Sequence, residues 1–219
     1  MRNLIFVLAI GFIVGCGGAS KENPDGTNDS LSQIKPSDTL DALFNIKDEK
    51  QLKEVYGEQN VAWDTIWGGE GEFTMGTVLY AGTPDNVVVE WENPDKKEKV
   101  IALIHECQYN MEADRHDLKS RWLTRSGVKL GMSLTDLVKI NEKDFTFYGL
   151  GWDYGGGVIN WNGGNLSKYN IFVTLGIDDM PDDKRKSFDK ICGDSEFKSD
   201  NPDARNLNPL VFEIILSKD

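Results

Sequence analysis

The chain has 219 residues, a formal net charge of −12 and an isoelectric point near 4.7. With 39% hydrophobic and 27% charged residues, a globular fold of one ordinary domain or two small ones is expected. The excess of acidic residues excludes the basic surface that is typical of nucleic-acid-binding proteins.

The first fifteen residues are typical of a secretory signal peptide. Arg2 precedes an apolar run from Leu4 to Val14, which is far shorter than the roughly 20 residues of a membrane-spanning helix. The run ends in Ile13-Val14-Gly15-Cys16, which resembles the lipobox of bacterial lipoproteins. In that family the cysteine is lipidated, with palmitate among the acyl chains, and becomes the new N-terminus. The sequence therefore predicts a signal peptide over residues 1–15 and a lipid anchor at Cys16.

The residues after Cys16 predict how the protein is attached. In well-studied proteobacteria an aspartate at the next position marks the inner membrane, so Gly17 favours the outer membrane of the cell envelope. Residues 16–37 are polar and rich in turn formers, which predicts a flexible tether with a root-mean-square span of roughly 25 Å.

The remaining chain contains an internal similarity at an offset of 85 residues. Asp48 falls on Ser133, and each begins a capping-box pattern that is followed by apolar residues at helical spacing. Trp67 then falls on Trp152. The pattern predicts an α+β protein made of two repeats, residues 38–125 and 126–219, each a short helix followed by an antiparallel β-meander.

Eight segments rich in aromatic and β-branched residues, separated by turn formers, are predicted to be strands. They are Asn60–Trp67, Phe73–Tyr80, Val87–Trp91, Val100–Gln108, Phe145–Leu150, Gly157–Trp161, Asn170–Leu175 and Pro209–Leu216.

One stretch resembles a known module. Gly131-Met132-Ser133-Leu134-Thr135-Asp136-Leu137-Val138, followed by Trp152-Asp153-Tyr154, is similar to the BamE/SmpA-like lipoprotein module, and a tandem pair resembles the β-lactamase-inhibitor-protein arrangement. The segment around Trp152 also resembles lipoproteins of the Bacteroidota. Ile140-Asn141-Glu142-Lys143-Asp144 departs from the family's Leu-Gly-x-Pro after the helix. The resemblance implies an envelope scaffold or inhibitor that binds proteins through a sheet face, with no catalytic residues.

Aromatic residues in glycine-rich surroundings are the candidate binding residues: Trp67, Trp152, Tyr154 and Trp161. Exposed aromatic side chains dominate protein interfaces and also stack on sugar rings. The alternative is that the tryptophans fill the core, with glycines marking bulges and tight turns.

Cysteine and histidine residues allow two further interpretations. Cys107 and Cys192 are an even pair in a chain predicted to be exported, which favours a disulfide, although two buried free thiols remain the alternative. His105, Cys107 and His116 include zinc-ligand types, but a fourth ligand is not identified. No metal and no cofactor are therefore predicted.

Two groups of carboxylates have the composition of possible sites. Glu70 and Glu72 flank Gly71, where a solvated turn is favoured over an acid–base pair. Asp178, Asp179, Asp182 and Asp183 precede basic residues, so a helix over Asp182–Ile191 is favoured over a calcium loop.

The sequence thus predicts a lipid-anchored, non-enzymatic envelope protein that binds a protein partner as scaffold or inhibitor. The alternative is an envelope lipoprotein that binds a glycan or another small ligand with the same aromatic residues. A glycoside- or peptide-cleaving enzyme is a third interpretation, which would need a carboxylate pair in a pocket.

Overall fold

An antiparallel sheet of six strands organises the fold. The structure is a computed structural model and describes residues 36–67, 71–178 and 180–218, all of which belong to one compact unit. The strands are β1 (Val61–Trp67), β2 (Phe73–Leu79), β3 (Val87–Asn93), β4 (Glu98–Glu106), β5 (Gln108–Asn110), β6 (Arg115–Asp117), β7 (Thr146–Tyr148), β8 (Val158–Asn160), β9 (Ile171–Gly176), β10 (Glu196–Lys198) and β11 (Leu210–Ser217).

The sheet topology joins the two halves of the chain. The large sheet has the order β1-β2-β3-β4-β11-β9, while β10-β7-β8 and β5-β6 form smaller sheets. All of these strand pairs are antiparallel. The structure therefore confirms an α+β protein with mostly antiparallel sheets and few helices, in which strands from both predicted repeats share one sheet.

All eight predicted strands are present, with ends that differ by at most two residues. Residues Asn93–Lys97 form the turn between β3 and β4. The first residue pair of the two strands next to this turn is Asn93 opposite Glu98. Strands β5, β6 and β10, each of three residues, were not predicted.

The two predicted capped helices are also confirmed. Helix α1 (Glu49–Tyr56) begins after Asp48, whose carboxylate accepts a hydrogen bond from the Gln51 backbone N–H at 2.7 Å. Helix α2 (Leu134–Asn141) begins after Ser133, whose hydroxyl accepts one from the Asp136 backbone N–H. These bonds satisfy backbone donors that the first helical turn leaves unpaired.

Two more helices follow in the second half. The predicted helix after Pro181 appears as a 3-10 turn, Asp182–Lys184, that continues into α3 (Arg185–Ile191). Helix α4 (Pro202–Leu207) was not predicted. Among the described residues, no helix combines the length and apolar character needed to cross a membrane.

Side-chain alternation gives the sheet a core face and a second face that is more accessible. Leu103, Val173 and Ile214 are fully or almost fully buried and pack in one hydrophobic cluster with Leu52 of α1 and Leu137 of α2. Their neighbours in sequence point to the other side of the sheet because side chains alternate along a strand. This second face is termed the open face; its central and β9-side residues are Ala102, Ile104, Glu106, Phe172, Thr174, Glu213 and Ile215.

Candidate functional site

A groove of about 580 Å³ lies at the β9 end of the open face. This volume is within the range of roughly 300–1,000 Å³ that is typical of ligand pockets. Its aromatic lining is Tyr148, Trp152, Tyr154 and Phe172, and its carboxylates are Asp153, Asp194 and Glu213. We call this feature the aromatic groove.

Three aromatic rings of the groove support one another. The Trp152 ring centroid lies 5.8 Å from that of Tyr148 and 5.4 Å from that of Tyr154, with interplanar angles of 77° and 71°. This edge-to-face geometry is favourable for aromatic pairs. The Trp152 indole N–H also donates a 2.9 Å hydrogen bond to the Gly149 carbonyl. Tyr154 nevertheless remains 67% exposed, so the arrangement is ordered and accessible at once.

A glycine holds the loop of residues 149–157 against β9. Gly156 has a φ of +81°, and a Cβ at this position would lie 1.9 Å from the Leu175 carbonyl oxygen. The Leu175 backbone N–H donates to the Gly156 carbonyl at 2.9 Å, and Gly157 forms a β-bridge with Thr174. Only glycine satisfies both the left-handed φ and this close backbone approach. The loop that carries Trp152 and Tyr154 is thereby fixed beside Phe172.

Two glutamates face each other at the centre of the open face. Glu106 of β4 is the direct cross-strand partner of Glu213 of β11, and like charges in this position are destabilising. Glu106 reaches solvent, whereas Glu213 is half-buried and accepts a 3.1 Å hydrogen bond from the Thr174 hydroxyl. In the part of the chain that the structure describes, neither carboxylate forms an ion pair with a lysine, arginine or histidine.

The protonation of this pair follows from its surroundings. Partial burial raises the pKa of Glu213 above its ordinary value, although the hydrogen bond from Thr174 opposes this shift. Burial also raises the pKa of Glu106, and the charge of Glu213 raises it further. The protein thus holds the two carboxylates in an arrangement that disfavours their charged forms.

The structure separates the four predicted aromatic residues. Trp152 and Tyr154 lie together in the groove. Trp67, which is 71% exposed, packs against Phe73 on the β1–β2 hairpin, with ring centroids 5.6 Å apart. Because β1 and β9 are opposite edges of the sheet, about 24 Å of interstrand spacing separates them. Trp67 therefore lies on a different surface.

Trp161 does not belong to the binding surface that the sequence predicted. It is only 8% exposed, packs edge-to-face on Phe145 at 5.2 Å, and donates a hydrogen bond from its indole N–H to the Ile171 carbonyl at 3.3 Å. For this tryptophan the core interpretation is the correct one.

Both cysteines after the predicted anchor are free thiols, so the predicted disulfide is not formed in this structure. Cys107 follows β4, where its backbone N–H donates to the Phe212 carbonyl at 2.8 Å, and Cys192 is exposed at the end of α3. Burial and the charge of Glu106 raise the pKa of the Cys107 thiol to about 12. This thiol stays protonated and unreactive at neutral pH.

The histidines have separate structural roles. His105 lies in the core with Nδ1 2.6 Å from the Asn86 carbonyl oxygen, and burial lowers its pKa. His116 of β6 pairs with Asp178 at 2.8 Å. Across the described ranges, no three His, Cys, Asp or Glu side chains converge as metal ligands.

The remaining predicted positions are only partly described. Glu72 is exposed beside the β1–β2 connection. Glu70, Asp179 and the predicted lipid anchor Cys16 lie outside the described residues.

Sequence reasoning missed Phe172, Asp194 and the Glu106–Glu213 pair. A signal for Phe172 was present, since it is a large apolar residue between the inward-facing Ile171 and Val173. The other three residues enter the site through contacts between distant parts of the chain, which no local pattern records.

Comparison of the chain with protein-family models, curated proteins and solved structures gives no match. The aromatic groove and the neighbouring glutamate pair are therefore interpreted from their own geometry.

The glutamate pair predicts a stabilising substitution. At pH 7, Glu213→Gln should raise the free energy of unfolding by about 0.2–1 kcal/mol, because it removes a like-charge cross-strand contact. A group whose pKa is raised on folding contributes stability below its unfolded pKa and loses that contribution as the pH rises through its folded pKa. The difference from wild type should therefore be small near pH 4 and larger at pH 7, as measured by urea denaturation.

Glu54→Gln is the control, since Glu54 is an exposed carboxylate on α1 whose ion pair with Lys50 is 3.7 Å long. A surface pair of this kind contributes little stability. A Glu213→Gln protein that is less stable than wild type at pH 7 would contradict the interpretation of the pair.

Proposed function

We propose that the chain is a lipid-anchored, non-enzymatic protein of the cell envelope that binds a protein partner as scaffold or inhibitor. The observation that carries this proposal is the aromatic groove, in which Trp152, Tyr154 and Phe172 are ordered but accessible. Aromatic residues on a rigid surface are the usual centres of protein interfaces, since they bury a large area at a small entropic cost.

The proposal includes an internal duplication like that of tandem BamE/SmpA-like modules. Residues 85 positions apart repeat the same local structure: the helix N-caps Asp48 and Ser133 accept hydrogen bonds from Gln51 and Asp136. Each helix is also followed by a residue with positive φ, Gly57 and Glu142. These agreements support two copies of one module.

The strands agree with the same offset. Strands β1, β2 and β3 shifted by 85 residues overlap β7, β8 and β9. In the large sheet β4 pairs with β11, and β3 and β9 lie on either side of them. A duplication explains this order if β11 is the counterpart of β4, displaced in sequence by an insertion that contains α3, β10 and α4. The open face would then be a single surface built by both repeats.

The lipid anchor gives the groove its cellular setting. Cys16, at the end of the lipobox-like sequence, would hold the protein on the outer membrane, and residues 16–37 would separate the folded unit from the lipid. A span of roughly 25 Å leaves room for a partner to reach the open face.

Affinity capture tests partner binding. The full chain, tagged at its C-terminus and extracted in detergent, is expected to capture a reproducible protein partner from envelope extract. Trp152→Ala should abolish capture, because it removes the central ring of the groove. Trp67→Ala removes an exposed indole at the opposite edge of the sheet and should retain the partner. Circular dichroism verifies both folds.

Equal loss of the partner in the two variants would contradict the assignment of the groove. Absence of any partner above background would favour the alternative, a lipoprotein that binds a glycan or small ligand through the same rings. That alternative predicts that Trp152→Ala lowers binding on a glycan array without unfolding the protein.

Lipidation is tested separately. When cells expressing the chain are fed an alkyne-labelled palmitate analogue, the wild-type protein should incorporate the label, and Cys16→Ser should lose it because the acyl chains require the cysteine. Cys107→Ser is the control and should remain labelled. Incorporation that persists in Cys16→Ser would overturn the anchor.

A further inference from the structure

We propose that the aromatic groove accepts a basic side chain, an arginine above all, from the protein partner, with its cation held between the aromatic rings and Glu213. This inference deepens the proposed function, on which it rests, because it names the chemistry of the partner at the same site. Three features of the groove support it: its charge, its carboxylates without an ion-pair partner among the described residues, and the aromatic rings that flank them.

The charge of the groove is negative throughout. Asp153, Asp194 and Glu213 line it, and its lining includes no lysine or arginine of the described ranges. Glu106 adds a further carboxylate directly across from Glu213. The whole chain carries a net charge of −12, so its overall field favours the approach of cations. Complementary charge of this kind favours a basic partner and disfavours an acidic one.

The glutamate pair also differs from several other carboxylates of the described chain, which have a cationic partner. Glu49 meets Lys97 at 2.6 Å, Asp85 meets Arg121 at 3.0 Å, and Asp178 meets His116 at 2.8 Å. Glu106 and Glu213 have no such counterpart, although they are each other's cross-strand neighbours. A bound cation would neutralise the pair and remove the repulsion that the free protein carries.

The aromatic rings make arginine the best fit. A guanidinium group stacks on aromatic faces and donates to carboxylates through a planar fork. The protein uses this contact elsewhere, with Arg121 4.8 Å from the Tyr80 ring centroid and Lys97 4.2 Å from that of Trp63. Among the described residues, no cation lies over Trp152, Tyr154 or Phe172. In the aromatic groove the partner would supply it.

The test compares two peptides of matched shape. An arginine hexapeptide is the probe, and a citrulline hexapeptide is its neutral isostere. Binding to the full chain in a neutral detergent is measured by isothermal titration calorimetry at low ionic strength. The arginine peptide should bind about tenfold more tightly than the citrulline peptide, a ratio that corresponds to 1.4 kcal/mol, and its affinity should fall as salt is added.

Variants locate the bound cation. Glu213→Gln should weaken binding of the arginine peptide about tenfold and bring it close to that of the citrulline peptide. Glu54→Gln removes one negative charge as well, but from α1 instead of the groove, and should leave binding unchanged. Trp152→Ala should weaken binding as well, since it removes the aromatic wall.

Three results would overturn the inference: equal affinity for the two peptides, equal effects of Glu213→Gln and Glu54→Gln, or full affinity in Glu213→Gln. If Trp152→Ala still abolished capture of the partner in those cases, the proposal of partner binding at the groove would be retained. Only the inference that the partner inserts a basic side chain would then be wrong. Conversely, selective binding of the arginine peptide that depends on Glu213 would support the inference even if capture found no partner.

Discussion

The antiparallel pairing of β4 with β11 is the constraint on which the rest of the structure depends. It joins strands from both halves of the chain into one sheet, whose core face packs in a single hydrophobic cluster with residues from both halves. A unit of about 80 residues would have only a marginal core of its own. The register of this pairing places His105 opposite Ile214 towards the core and Glu106 opposite Glu213 on the open face. A shift of the strand register by one residue would move the core-facing side chains to the open face. The burial of Leu103 and Ile214 is incompatible with such a shifted register.

The candidate site uses this sheet as a rigid base and adds one loop to it. The loop of residues 149–157 reaches Phe172 because Gly156 allows its backbone to lie against Leu175. The Trp152 ring is then fixed by Tyr148, Tyr154 and the Gly149 carbonyl. The site combines this ordered aromatic wall with the Glu106–Glu213 pair, which forms no ion pair within the described part of the chain. Like charges in direct cross-strand contact are expected to lower the stability of the free protein, and the proposed binding of a basic partner would relieve that repulsion.

Much of the fold was predictable because its signals are local. The aromatic and β-branched residues of Asn170–Leu175, bounded by turn formers, predicted β9. The capping residues Asp48 and Ser133 predicted α1 and α2. Helix α4 was missed although Asn201, an N-cap residue, and Pro202 at the first helical position are typical of a helix start. Its length of six residues left too little periodicity to support that signal.

The site was only half predictable for a different reason. Trp152 and Tyr154 were identified from their glycine-rich setting, which is local. The same reasoning failed for Trp161, since sequence context cannot distinguish an aromatic ring that fills the core from one that faces solvent. Glu106 and Glu213 are about a hundred residues apart in sequence, and only the β4–β11 register brings them together.

The ionisation of Glu106 and Glu213 is the most direct test of this account. Their carboxyl carbons can be followed by ¹³C NMR over a pH titration, with each signal assigned from the corresponding glutamine variant. Both should titrate above the ordinary glutamate pKa of 4.5 in the free protein, and the arginine hexapeptide should lower both midpoints because a nearby cation favours the charged form. Ordinary pKa values for both glutamates would contradict the interpretation of Glu106 and Glu213 as a carboxylate pair without counter-charge. Midpoints that do not respond to the peptide would contradict the proposed binding of a basic partner.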